Sequence, residues 1–261
     1  MNISVITTVF NGERFIKETV QSILRQTYSN IEYIIIDDFS TDDTLNTLYS
    51  IKDPRLKIYS SPRKGRGYAL NFGINKAKSK WISIIDADDV ASIFKLEIQL
   101  KLLKKNKNIN FLASFCSANK SNLLQKNLSY LPNIQEIPYS EFCLLNPICH
   151  SSVVFQKKLL DSVKKYSESR RSLFDFDLWI KLIERNNKFY KVEEVLVFKR
   201  LHKEQNFERK NRISYIYDAS KLKFKVAKIC PNKFKNYFMI CLAFFYALLP
   251  ISFRKKIRRN F

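Results

Sequence analysis

Asp86-Ala87-Asp88-Asp89 puts three carboxylates within four residues, and Asp37-Asp38 sets two more side by side. Like charges this close repel one another, so a cluster of this kind needs a hard divalent cation or a shared proton. Mg2+ and Mn2+ prefer oxygen ligands and are commonly held by one or two carboxylates together with a substrate's phosphates. A cation so placed would stabilise the negative charge on a departing diphosphate. Alternate residues of an extended segment point the same way, so Asp86 and Asp88 are able to face one ligand.

The elements around these acids explain how they could meet. Ile3–Thr8, Tyr33–Ile36, Leu56–Tyr59 and Trp81–Ile85 are short apolar, β-branched runs that read as buried strands. Between them, Phe15, Ile16, Val20, Ile23 and Leu24 recur at helical spacing, and Tyr68–Ala77 reads as a further helix. Ser40 or Thr41 is expected to cap the helix after the second strand, with Asp42 and Asp43 in its first turn. Strands of this kind alternating with helices predict an α/β fold with a mostly parallel sheet covered on both faces. Ligands of such sheets bind beyond the carboxyl ends of the strands. Asp37-Asp38 and Asp86–Asp89 follow the second and fourth strands, so one sheet edge collects them. Further on, Phe111–Cys116, His150–Phe155 and Val192–Phe198 are strand-like and Leu173–Ile183 helical. His150 follows Asn146-Pro147 and stays open between orienting a loop and serving the site.

Lys and Arg number 46 against 24 Asp and Glu, a formal charge of +22 that draws polyanions: nucleic acid, anionic lipid or phosphorylated small molecules. Tyr215, Tyr217 and Phe224 among lysines would suit base stacking. However, the acidic sheet edge would repel a nucleic-acid backbone unless a metal intervened, so no nucleic-acid partner is expected. Tyr237–Leu249 is almost continuously apolar, and Arg254-Lys255-Lys256-Ile257-Arg258-Arg259 follows it. The run is shorter than the roughly 20 residues a spanning helix needs. It suits a helix lying on an anionic membrane surface, or one packed into the core. Five cysteines without a C-x-x-C pair, and only two histidines, predict free thiols rather than a structural zinc site. MNISVITTVFNGERF has no basic segment leading into an apolar one, so no secretory signal is expected. Together these features predict a cytoplasmic protein, peripheral on the inner face of the cell membrane. Gly65-Arg66-Gly67 lacks the third glycine of a dinucleotide fingerprint, and there is no P-loop motif.

Several segments taken in order carry a resemblance. Ser4–Gly12, Gln26-Thr27-Tyr28, Glu32–Asp42, Gly65–Asn71, Asp86–Asp89, Asp175–Trp179 and Lys199–His202 together resemble the family 2 glycosyltransferases of the bacterial surface-glycan type, which have the GT-A fold. The resemblance covers about the first hundred residues well and Asn146–His202 loosely. It implies a GT-A domain over 1–205, followed by a basic helical tail over 206–261. It implies a nucleotide-sugar donor, a UDP-sugar, bound by Thr8, Phe10, Asn11, Asp38, Arg66, Asp86 and Asp88. Mn2+ or Mg2+ would be held by Asp88, Asp89 and His202, and Asp175 would be the general base of an inverting transfer. The acceptor implied is a hydroxyl of a lipid-linked oligosaccharide or surface-glycan precursor. Phe174 stands where relatives carry a second acid before the base. A polyprenyl-phosphate transferase is the neighbouring alternative, but such enzymes usually read Asp-Ala-Asp-Leu-Gln where this chain has Asp86-Ala87-Asp88-Asp89-Val90.

Overall fold

The computed structural model describes residues 1–126, 129–202 and 212–249. Its first half is an alternation of β1 (Ile3–Val9), α1 (Ile16–Leu24), β2 (Ile31–Asp37), α2 (Thr44–Ser50), β3 (Leu56–Ser60), α3 (Arg66–Lys76) and β4 (Trp81–Ile84). The second half holds β5 (Val90–Ala91), α4 (Lys95–Lys105), β6 (Phe111–Ser117), β7 (Ile134–Ile137), α5 (Tyr139–Leu144), β8 (Val154–Gln156), α6 (Phe174–Ile183) and β9 (Phe189–Phe198). Two further helices follow, α7 (Arg212–Ile229) and α8 (Lys233–Leu248).

One sheet runs in the order β3-β2-β1-β4-β8-β6-β9-β5, with β7 also paired to β9. The strands β3, β2, β1 and β4 are mutually parallel. Antiparallel β8 follows β4, and β6 and β9 are again parallel to each other. Side chains alternate between two cores. Ile6, Ile34, Ile36, Ile82 and Ile84 face α3, α5, α6 and α7, while Ile3, Val5, Tyr33, Ile35 and Trp81 face α1, α2 and α4. Both faces are therefore buried, which is why these strands read as continuous apolar runs.

Several expectations are corrected here. Residues His150–Ser152 form a 3-10 turn, and the strand begins only at Val154. The Ser152 hydroxyl donates to Cys149 O and Gln99 Nε2 donates to Ser152 O, so polar contacts hold the turn out of the ladder. Two of the five cysteines are not free thiols: Cys116, at the end of β6, is bonded to Cys149, which opens that turn. Neither Ser40 nor Thr41 caps α2, whose N-cap is Asp43 and whose first turn holds no acid: Ser40 Oγ accepts from Asn11 N–H at 2.9 Å and Thr41 Oγ1 donates to Asn11 Oδ1. The Asp42 carboxylate accepts from Thr44 N–H and Glu13 N–H instead. The α7–α8 pair joins the main core through Leu222, Val226, Ala227, Cys230 and Ile240. The expected boundary at 205/206 and the basic cluster at 254–259 lie outside the described residues.

Polar residues brace the layers. Gln26 is buried, donating to Ser22 O and Ser92 O and accepting from Leu96 N–H, which ties α1 to α4. Lys95 is fully buried in the first turn of α4, with Nζ donating to Ser83 Oγ at 2.7 Å. Burial pushes its ammonium group down from 10.5 to about 7. The folded chain thus holds fewer protons than the unfolded chain between those limits, so the destabilisation is full below about pH 7 and fades towards 10.5. Lys95→Met should therefore stabilise the fold, most strongly at and below about pH 7. Urea unfolding at several pH values checks this: the advantage of the variant should shrink as pH rises, by up to about 1.4 kcal/mol per unit.

Candidate active site

The carboxyl ends of β1, β2 and β4 open onto a cleft of about 1490 Å³. Thr8, Phe10, Asn11, Asp38, Arg66, Asp86, Asp88 and His202 all line it. Asp89 lies directly beneath, 1% exposed, and Asp175 sits beside Phe174, a lining residue, in the first turn of α6. The residues singled out from the sequence are thus gathered at one edge of the sheet from positions 8 to 202.

The loops of the cleft are tied to each other. Asn11 adopts a left-handed backbone (φ 52°), and its Oδ1 accepts from Thr41 N–H. Gly12 N–H donates to Thr44 Oγ1, so the loops after β1 and β2 form one wall. Asp38 is buried, accepting from Ser61 Oγ at 2.7 Å and from Gly65 N–H at 3.0 Å. That contact positions the loop carrying Arg63, Lys64 and Arg66. Phe10 is 45% exposed, and the Arg63 guanidinium lies 4.8 Å from its ring centre. Arg63 (φ 49°) and Leu173 (φ 57°) are also left-handed. Strained backbone of this kind concentrates at binding edges.

The acidic turn is held from all sides. Arg66 pairs with Asp86, and Phe174 lies under its guanidinium at 4.9 Å. His150 places Nδ1 3.1 Å from Asp86 Oδ1 and Nε2 2.9 Å from Tyr166 Oη. Burial alone would raise the Asp86 carboxyl, but the Arg66 charge and then His150 hold it well below the usual carboxylate range. Asp88 Oδ2 lies 2.9 Å from His202 Nε2. Asp89 accepts from Ser151 Oγ and Arg200 N–H. Its burial, with the charges of Asp86 and Asp88 added, pushes it up to about 8. Arg200 closes the turn from outside, donating to Asp88 O and pairing with Glu18. Asp175 Oδ2 accepts from Asn146 Nδ2 at 2.9 Å.

Asp86, Asp88 and Asp89 each offer an oxygen, all within 4.8 Å of one another. Opposite ligands of a Mg2+ ion are about 4.2 Å apart, twice the metal–oxygen distance of about 2.1 Å, so small side-chain shifts would fit the cluster to such an ion. Asp88 Oδ2 and His202 Nε2 point towards each other at the cleft wall. Asp89 is largely engaged by Ser151 and Arg200. The sequence reading left His150 open and missed Tyr166, Ser151, Arg63 and Arg200. Only Arg200 carried a local signal, through its place in Lys199–His202.

A sheet of this order, ending in a carboxylate-lined cleft, is the GT-A fold of glycosyltransferases. The chain belongs to glycosyl transferase family 2, whose sequence profile matches residues 4–163. It is 30% identical to the uncharacterized glycosyltransferase MJ1057 of Methanocaldococcus jannaschii, over 98% of this chain and 91% of that one. Several Rickettsia relatives are longer, and the chain spans between 30% and 65% of their length. Among solved structures it is similar to residues 1–349 of S. aureus TarS in complex with UDP-GlcNAc (TM-score 0.68, 15% identity, 95% of this chain and 72% of that one). It is also similar to the mannosyltransferase PcManGT from Pyrobaculum calidifontis in complex with GDP-Man and Mn2+ (TM-score 0.64, 15% identity, 94% and 70%). At such identities the likeness is one of fold.

The Gly65-Arg66-Gly67 stretch has a packing reason at its last residue. A Cβ on Gly67 would come 2.3 Å from Ser167 O, where the backbone leads into the cleft-lining Glu168–Arg171 segment. Asn71, one turn along α3, donates to Tyr166 O and accepts from Tyr166 N–H. Gly67→Ala should force that segment away and cost about 1–3 kcal/mol, the usual range for overpacking. A thermal unfolding midpoint equal to wild type would contradict this close approach.

Proposed function

We propose that this glycosyltransferase moves a sugar from a nucleotide-sugar, a UDP-sugar, onto a hydroxyl of a lipid-linked oligosaccharide or surface-glycan precursor, with inversion. The observation that carries the reading is the single cleft in which Phe10, Asp38, Arg66, Asp86, Asp88 and His202 converge, with Asp175 at its side. The solved neighbours that hold UDP-GlcNAc, or GDP-Man with Mn2+, support it at the level of the fold.

In this reading the nucleobase lies against Phe10 and Arg63, with Thr8 and Asn11 at its edge. Asp38 has accepting capacity beyond its bonds to Ser61 and Gly65, so one of its oxygens also serves a base N–H. Arg66 leaves Asp86 for the diphosphate, and Asp86 then receives a ribose hydroxyl. Asp88 and His202, with Asp89 behind them, would hold Mn2+ or Mg2+, which supplies positive charge to the leaving diphosphate when bound. Asp175 takes the proton of the acceptor hydroxyl as its oxygen attacks the anomeric carbon opposite that diphosphate. Asn146 fixes the orientation of the Asp175 carboxylate for that transfer. The basic, apolar C-terminal helices suit a peripheral position at an anionic membrane surface. Among the described residues no helix is long and apolar enough to cross a membrane.

Two outcomes are expected. Calorimetric titration with UDP should show binding that strengthens with Mn2+, and Asp88→Ala should abolish the metal dependence; absence of nucleotide binding at any metal concentration would sink the donor-site reading. Asp175→Asn should leave the UDP affinity within about twofold while lowering turnover by about 10²–10⁴, the usual contribution of a general base. Retained turnover in the purified variant would remove Asp175 from its role.

A further inference from the structure

The helices α7 and α8 dock on the domain by one face and leave the other bare. Inward, Leu222, Val226 and Ile240 are buried in the core. Outward, α8 presents Phe234 (86% exposed), Phe238 (57%), Leu242 (50%) and Phe245 (65%). Their spacing of four, four and three residues makes a single stripe along the helix. Four large apolar side chains in one exposed line are more than the scattered singles of an ordinary surface, and mark a place where something docks.

The charge around the stripe indicates what docks. Residues 212–249 carry seven Lys and Arg and a single acid, Asp218. Lys221, Lys225, Lys228, Lys233 and Lys235 are exposed on the two helices. A second copy of the chain placed on this face would set these lysines against their own equivalents, on molecules of +22 each. An anionic bilayer complements both features: headgroups for the lysines and the acyl boundary for the phenylalanines. Since α8 has only 16 residues, it would meet the bilayer side-on.

The apolar surface also leads to the site. Both helices pack against α5, and Lys223 Nζ donates to Leu144 O at its end. Leu144 and Leu145 are exposed there. The next residue, Asn146, holds Asp175.

We propose that the outer face of α8, together with Leu144 and Leu145, is the docking surface for an anionic lipid bilayer, and that docking sets Asp175 close above the headgroups. The second part rests on the transferase reading; the first does not. The full chain is sedimented with phosphatidylglycerol–phosphatidylcholine vesicles and with phosphatidylcholine alone, at low and high salt. Binding should require phosphatidylglycerol and weaken with salt. The combined variant Phe234→Ser, Phe238→Ser, Leu242→Ser should partition about tenfold or more weakly, since each side chain contributes apolar burial. A second variant, Lys228→Gln, Lys233→Gln, Lys235→Gln, should bind phosphatidylglycerol vesicles more weakly than wild type and show a shallower salt dependence. Both should keep the wild-type UDP affinity, which also reports that they fold. Three results would overturn the proposal: no wild-type binding to phosphatidylglycerol vesicles, equal binding to both lipids, or apolar-variant binding equal to wild type. A dimer that the apolar variant dissolves would assign the face to a second copy instead. Vesicle binding without any UDP binding would leave the docking surface standing and remove the donor reading alone.

Discussion

Three carboxylates in one partly buried turn repel each other, and much of the cleft is arranged to tolerate that repulsion. Asp86, Asp88 and Asp89 lie at the end of β4, where the backbone is locked between β1 and β8 and is unable to splay. Each acid receives different compensation. Asp86 has the full charge of Arg66 and the ring of His150, so it stays ionised despite burial. Asp88 has His202. Asp89 has only neutral donors, Ser151 and a backbone N–H, so burial and the charges of Asp86 and Asp88 raise its affinity for a proton. Environment, not residue type, thus drives Asp86 and Asp89 in opposite directions.

The compensating groups come from far apart, which is why the second half of the sheet matters. His150 and Ser151 arrive on the 3-10 turn before β8, Arg200 and His202 follow β9, and Arg66 opens α3. A strand in the wrong register would move any of these by several ångströms and leave a carboxylate uncompensated. Thr19 adds a further restraint, its Oγ lying 2.8 Å from both Ala87 O and Asp89 O. The turn is thereby fixed to α1 as well as to its own strand. Several residues of the family pattern, Gln26 and Asn71 among them, prove to be braces of this kind. They act on the site only by holding the segments that line it.

The legible part of the sequence was the part where local pattern and tertiary role coincide. β1, β2 and β4 are buried on both faces, so their apolar runs and the acids at their ends could be read directly. The short strands β5 and β7 carry too few residues for a pattern, and they form because β9 offers them partners. His150–Phe155 read as one strand because the apolar residues Val153–Phe155 dominate it, whereas its first three residues serve polar neighbours. The Cys116–Cys149 bond spans 33 residues and depends on how β6 and the turn meet in space. The pairings of His150 with Asp86 and Tyr166 are of the same kind: three separated residues whose meeting no spacing rule announces. The family resemblance bridged part of this gap by naming positions, but not the contacts that set their chemistry.

The charge of the whole chain is strongly one-sided, whereas that of its cleft is balanced. A surface of +22 attracts any polyanion at long range, without regard to shape. Within the cleft, Arg14, Arg63, Lys64, Arg66, Arg170 and Arg171 stand against Glu13, Asp38, Asp42, Asp86, Asp88 and Glu168. The long-range field is therefore indifferent to shape, whereas the cleft holds both signs at fixed positions, as Arg66 against Asp86 shows.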